Sequence, residues 1–169
     1  MRRADPAYQR RPRGGVSMVG EAESGAPLRL LAEDADDLRI ISAALQDAVA
    51  KVGDIRWEQK ARRLTLEFNR FRWEREGPDA CQRVRAGLQL GDVQSVKARG
   101  INRNAKGAVV ELLAIDFAPG DPPGGVVTLA FAGGADLRVE VECVDVVLAD
   151  LSQPWPTRRT PRHADDLSA

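Results

Sequence analysis

Apolar residues fall into helical spacing at one clear place in this chain and alternate with polar residues along most of the rest. Leu38, Ile41, Leu45, Ala48 and Val49 form a single apolar stripe. Asp34 precedes it as an N-cap, with Asp36 and Asp37 in the first turn, where the helix dipole favours carboxylates. The spacing predicts a helix over Asp34–Val49, stopped by Gly53. Leu28–Leu31 ahead of it reads as a short strand. Behind it the period changes to two. Ile55 and Trp57 alternate with Arg56 and Glu58, Gln59–Arg62 forms a turn, and Leu64, Leu66 and Phe68 line one face.

At Asn69 the parity of the apolar residues changes, from even positions to Phe71 and Trp73. One strand cannot face one core with both sets, so a β-bulge or bend is expected near Asn69–Arg70. Val84, Ala86, Leu88 and Leu90 make the next alternating run, and Val96 with Ala98 a weaker one. Val109–Phe117 is apolar on both faces, as a central strand would be. Val126–Ala132 and Leu137–Cys143, joined by Gly133-Gly134, read as a hairpin with Arg138, Glu140 and Glu142 pointing outward. Val144–Leu151 fits strand and helix spacing alike, and strand is preferred.

The sum is an α+β domain, mainly antiparallel β with about seven or eight strands and one N-terminal amphipathic helix packed on the sheet. Two related β halves are conceivable. Leu64-Thr65-Leu66-Glu67-Phe68 and Val127-Thr128-Leu129-Ala130-Phe131 share a pattern. Arg83-Val84 and Arg138-Val139 follow them, then Asp92-Val93 and Asp145-Val146. Strands draw on a small alphabet, so chance matches compete with duplication.

With 169 residues, 43% of them hydrophobic, the chain suffices for one domain with a real core. Residues 28–151 are expected to hold it. Residues 1–27, rich in Arg, Gly and Pro, read as a disordered basic tail, and Met18 competes as the true start. Residues 152–169 read as a Pro/Arg-rich tail, except that Trp155 should fold back to hide its ring. No run of about 18 apolar residues suggests a membrane span. Cys81 and Cys143 are too far apart for a CxxC unit and read as reduced, partly buried thiols of a cytoplasmic protein.

The net charge of zero conceals an asymmetry. Lys51–Lys106 carries 14 Lys/Arg against 7 Asp/Glu, and Gly107–Leu151 carries one Arg against eight acids. Such a split suits intramolecular docking, head-to-tail assembly, or a basic face for an anionic partner.

The one histidine, His163, lies in the C-terminal tail, which leaves the body without the commonest general base and metal ligand. The glycine-rich Pro119–Gly125 and Gly133-Gly134 follow no phosphate-loop pattern and read as turns. Asp116, Asp121, Asp136, Glu140, Glu142, Asp145 and Asp150 could supply a carboxylate-dependent enzyme or a Mg²⁺ site, but an outward solvated face explains them better. No catalytic residue, metal ligand or cofactor is assigned. Arg56–Arg75 interleaves seven Lys/Arg with Trp57, Phe68, Phe71 and Trp73, a composition suited to single-stranded nucleic acid. An ordinary two-faced hairpin predicts the same alternation. Arg56, Arg70, Arg72 and Arg99 are the candidate residues for nucleic acid or a phosphate ligand.

The strings Leu28-Arg29-Leu30-Leu31-Ala32-Glu33-Asp34-Ala35-Asp36-Asp37-Leu38, Leu45 to Ile55, Asn69-Arg70-Phe71-Arg72-Trp73-Glu74 and the hairpin Val127–Leu151 resemble the bacterial domain of unknown function 2948 (DUF2948). The resemblance spans Leu28 to Trp155. It implies a cytoplasmic setting and no activity or site residues. The expectation is a non-catalytic binding or assembly module whose partner is a second copy or another protein. Nucleic acid ranks behind these, and a membrane is not expected.

Overall fold

Asp34 opens the helix as its position predicts. Its side chain accepts from the Asp37 N–H at 2.8 Å, satisfying one orphan helix donor, while the Asp37 carboxylate reaches back to the Glu33 N–H just ahead of the cap at 3.2 Å. The computed structural model describes residues 26–77 and 80–158. Expectations about both tails, including Met18 and His163, lie outside the described residues for positions before 26 and after 158. Strand β1 (Arg29–Ala32) precedes helix α1 (Ala35–Ala44). The helix ends five residues before the predicted Val49. Asp47 adopts a left-handed φ of 60°, its N–H donates to the Leu112 carbonyl, and the Leu112 N–H donates to Ala48. A neighbouring strand thus captures the chain. Leu45 and Ala48 still point inward, so their spacing was met by a turn instead of a helix.

Ten further strands follow: β2 (Val49–Lys51), β3 (Ile55–Glu58), β4 (Arg63–Phe71), β5 (Gln82–Leu90), β6 (Val93–Arg99), β7 (Val109–Pro119), β8 (Gly125–Phe131), β9 (Asp136–Val141), β10 (Val146–Asp150) and β11 (Trp155–Pro156). The fold is mostly antiparallel sheet with one α-helix near the N-terminus packed on it. The eleven strands among the described residues exceed the seven or eight expected. The short β2 lay hidden at the end of the predicted helix and β11 in the predicted tail, since two or three residues are too few to show alternation.

All strands join one sheet in the order β1-β10-β5-β4-β2-β7-β8-β9-β6, with β3 on β4 and β11 on β5. The hairpins β4–β5 and β8–β9 exchange their following strands. β6 continues from β5 but pairs with β9, whereas β10 continues from β9 and pairs with β5. The two crossings touch, the Gly91 N–H donating to the Asp145 carbonyl and the Glu142 N–H to that of Asp92. A Cβ on Gly91 would fall 2.5 Å from an Asp145 carboxylate oxygen, so a larger residue there would have to push that side chain aside. The repeated Asp-Val pairs, Asp92-Val93 and Asp145-Val146, mark these reciprocal crossings. Leu38 and Ile41 of the helix, Leu66 and Phe68 of β4, and Leu129 and Phe131 of β8 share one core.

The exchange also brings parts of the two charged segments together. Arg62 pairs with Glu142 at 2.7 Å, Arg70 with Asp150 at 2.8 Å, and Arg99 with Asp136, each joining the basic segment to the acidic one. Intramolecular docking accounts for these charges.

The bulge expected near Asn69–Arg70 does not form. The β4–β5 register runs unbroken from Leu64↔Leu90 to Phe71↔Arg83. Arg70 keeps the inward parity of Leu64, Leu66 and Phe68, and Phe71 is buried on the opposite side, its ring 4.6 Å from that of Trp73. Register shifts occur instead at Val93/Ser95 and Leu112/Ala114. β7 lies inside the sheet, yet Val109 and Leu113 are exposed, so one of its apolar faces stays open. Gly133 and Gly134, both near φ +80°, make the predicted β8–β9 turn. Trp155 returns to the sheet through β11, opposite Arg83, but remains 37% exposed. Among the described residues neither cysteine is in a disulfide; Cys81 is exposed, against expectation, and Cys143 half-buried. No described helix is long and apolar enough to cross a membrane.

Candidate binding site around Arg70 and Arg72

An arginine on the inward face of a strand must be matched by acceptors, because an unpaired buried charge is costly. Arg70 is fully buried and fully matched. Its Nε and Nη2 donate to the two oxygens of Asp150 at 2.8 and 2.9 Å, and Nη1 and Nη2 donate to Glu74 at 3.0 and 2.8 Å. The backbone arranges this contact. Arg70 lies opposite Val84 and Asp150 opposite Ala86, both on β5, so the arginine crosses one strand over small side chains. The Asp150 carboxylate also accepts from the Leu28 N–H at 2.9 Å, tying the start of β1 to the same point. Burial acts to lower the Arg70 pKa, but Glu74 and Asp150 reverse that and raise it, so the group stays protonated.

Arg72 follows on the same face and is less well served. It is 4% exposed. Its Nη1 donates to Gln82 Oε1 at 2.8 Å, a neutral acceptor. Its Nε is shielded from solvent without a hydrogen bond, the nearest carboxylate oxygen, on Glu74, being 3.6 Å away. Glu74 cannot close that gap while both of its oxygens are held by Arg70. Arg72 lines a cavity of about 330 Å³ between Val84, Asp150 and the Leu151–Pro154 segment, roofed by Pro27.

Burial acts to raise the Glu74 carboxyl, but hydrogen bonds and charge from Arg70, with the charge of Arg72, hold it below the ordinary carboxylate range. A depressed folded-state pKa stabilises the fold above the unfolded value and loses that contribution as pH falls through the folded one. Urea midpoints of the wild-type protein are therefore expected to fall as the pH is lowered below about 5. In Glu74→Gln the decline over that window should be shallower. An equal decline in both proteins would remove Glu74 as a source of acid sensitivity.

Of the four predicted arginines, Arg70 and Arg72 come together and the other two lie apart. Arg56 on β3 pairs with Glu67 at 3.0 Å, and the 69%-exposed Arg99 on β6 pairs with Asp136. Phe68 and Phe71 are buried, and Trp73 Nε1 donates to the Gln46 carbonyl at 3.1 Å, so these aromatics serve the core. Glu74 and Gln82 escaped notice as site residues, and Asp150, expected on an outward solvated face, is instead buried against Arg70. The signal for Asp150 was its inward parity after Val146 and Leu148.

A second, open groove of about 640 Å³ runs beside the β7–β8 turn and the start of β6, edged by Asp92, Asp121, Glu140 and Glu142. Arg62 holds the Glu142 carboxyl below its usual range, the direction opposite to that of a general acid. The Cys143 thiol, hydrogen-bonded to Asp92 at 3.3 Å, is pushed up, which suppresses the nucleophilic thiolate. No group of three or more His, Cys, Asp or Glu among the described residues could hold a metal ion.

A family model described as "Protein of unknown function (DUF2948)" matches residues 28–163. No curated protein and no solved structure matches the chain.

Proposed function

The chain belongs to the DUF2948 family, and we propose that it is a cytoplasmic, non-catalytic binding module whose ligand is a small anion held at Arg72. One observation carries this reading: a guanidinium that is 4% exposed, lines a cavity of about 330 Å³ and has an Nε without a hydrogen bond. That charge is met by the neutral Gln82 at 2.8 Å and by Glu74 only at 3.6 Å, so an anion in the cavity would offset it. The nucleic-acid alternative has weaker support, because Arg70 is enclosed and the Phe68 and Phe71 rings are committed to packing.

Thermal unfolding against a panel of small anions at constant ionic strength tests the reading. A bound anion at a hundredfold excess over its Kd should raise the wild-type Tm by about 5–10 °C. The shift should vanish in Arg72→Gln. No shift with any anion at millimolar concentration, or an equal shift in Arg72→Gln, overturns the proposal.

A further inference from the structure

We infer that the outer edge of β1 is an interface with a second copy of this chain, the two edges pairing antiparallel about a twofold axis at Leu31. β1 ends the sheet on one side and pairs with β10 alone among the described strands. The direction of its unused backbone groups follows from that ladder. The Asp150 N–H donates to the Leu28 carbonyl at 2.9 Å. Hydrogen-bonded pairs alternate along an antiparallel ladder, so Leu28, Leu30 and Ala32 turn their backbone groups towards β10. Arg29 and Leu31 turn theirs to the open edge, where no described residue pairs with them. Such a row of donors and acceptors is a template for a further strand.

The side chains select a second copy as that strand. Leu31 is 60% exposed, with the half-buried Val147 opposite it on β10. Residues directly opposite in an antiparallel pair share a face, so the axis must pass through a residue and not between two. With the axis at Leu31, the two leucines meet on the outer face, and each gives its N–H to the other's carbonyl. Leu30 then meets Ala32 of the second copy on the core side. Arg29 stands opposite Glu33 of the second copy at both ends of the pairing, and opposite charges so placed stabilise it. Both side chains are exposed, and neither forms an ion pair among the described residues. The Arg29 N–H reaches the Glu33 carbonyl of the second copy, while the Glu33 N–H stays with Asp37. An axis at Arg29 would oppose two arginines and set Pro27, which has no N–H, against Leu31.

The opposite edge, β6, lacks this self-complementarity. Its Val93 N–H is taken by the Arg62 carbonyl, and the exposed Lys97 and Arg99 guard the remainder.

Sedimentation equilibrium of the full chain from about 1 μM to about 1 mM tests the pairing. The weight-average mass should rise with concentration towards twice that of the chain. Leu31→Lys, at an exposed position, should weaken association by about tenfold or more. Arg29→Glu and Glu33→Arg should each weaken it by about tenfold, because like charges then face each other at both ends. An equimolar mixture of those two variants should regain wild-type association as a mixed dimer, in which acid again meets base at both ends. Far-UV circular dichroism checks that each variant is folded. A wild-type chain that stays monomeric at about 1 mM overturns the interface. So does a dimer that Leu31→Lys leaves unchanged, or a mixture no better associated than its two components.

Discussion

Replacing Asp150 by alanine is expected to cost about 3–5 kcal/mol, the range found when one member of a buried ion pair is removed. The loss follows from what is left behind. Arg70 keeps its charge in a fully buried position, and two of its hydrogen bonds lose their acceptor. The Leu28 N–H loses its acceptor as well, which loosens the entry to β1. Glu74 still holds Arg70 through both of its oxygens, which offsets part of the charge but leaves Nε without its acceptor. Replacing both partners by apolar residues of similar volume, Arg70→Met with Asp150→Leu, should recover most of the loss, since the desolvation cost of both charges disappears. Urea denaturation of the two proteins measures the difference. A single-variant loss below about 1 kcal/mol, the size of an exposed pair, would contradict the enclosure of this contact.

The second large effect tests the strand exchange. Phe68 and Phe131 end the matched patterns on β4 and β8, and both are essentially buried in one core. Truncating either to alanine is expected to cost about 3–5 kcal/mol. More telling is the shape of the transition. Because β6 completes the second half and β10 the first, neither half can hold its sheet once the other opens. Phe68→Ala and Phe131→Ala should each shift one cooperative transition, with tryptophan fluorescence and far-UV circular dichroism coinciding. Separate transitions in either variant would show that the halves unfold independently.

The residues that misled the reading of β4 are also the ones that make the site. Alternation treats arginine as outward, so Phe71 and Trp73 implied a break after Phe68. In the structure β4 runs straight on, with Arg70 buried at the next inward position and Phe71 buried on the other side. The clue was present. Arg70 continues Leu64, Leu66 and Phe68, and Asp150 continues Val146 and Leu148, so two opposite charges close two inward rows. Nothing in either row says that the strands bearing them flank β5. At the end of the helix the failure was of another kind. Leu45 and Ala48 fit helical spacing and are buried, but hydrogen bonds with Leu112, distant along the chain, turn that segment into β2.

The hairpin of β8 and β9, the N-cap at Asp34 and the mainly antiparallel class follow from local rules: side-chain period, capping chemistry and glycines that accept positive φ. The exchanged partners of β6 and β10, the burial of Arg70 against Asp150 and the cavity beside Arg72 belong to another level. They depend on which distant strands become neighbours, and local patterns are silent on that because a strand's alternation records which face is inward but not whose backbone lies alongside it.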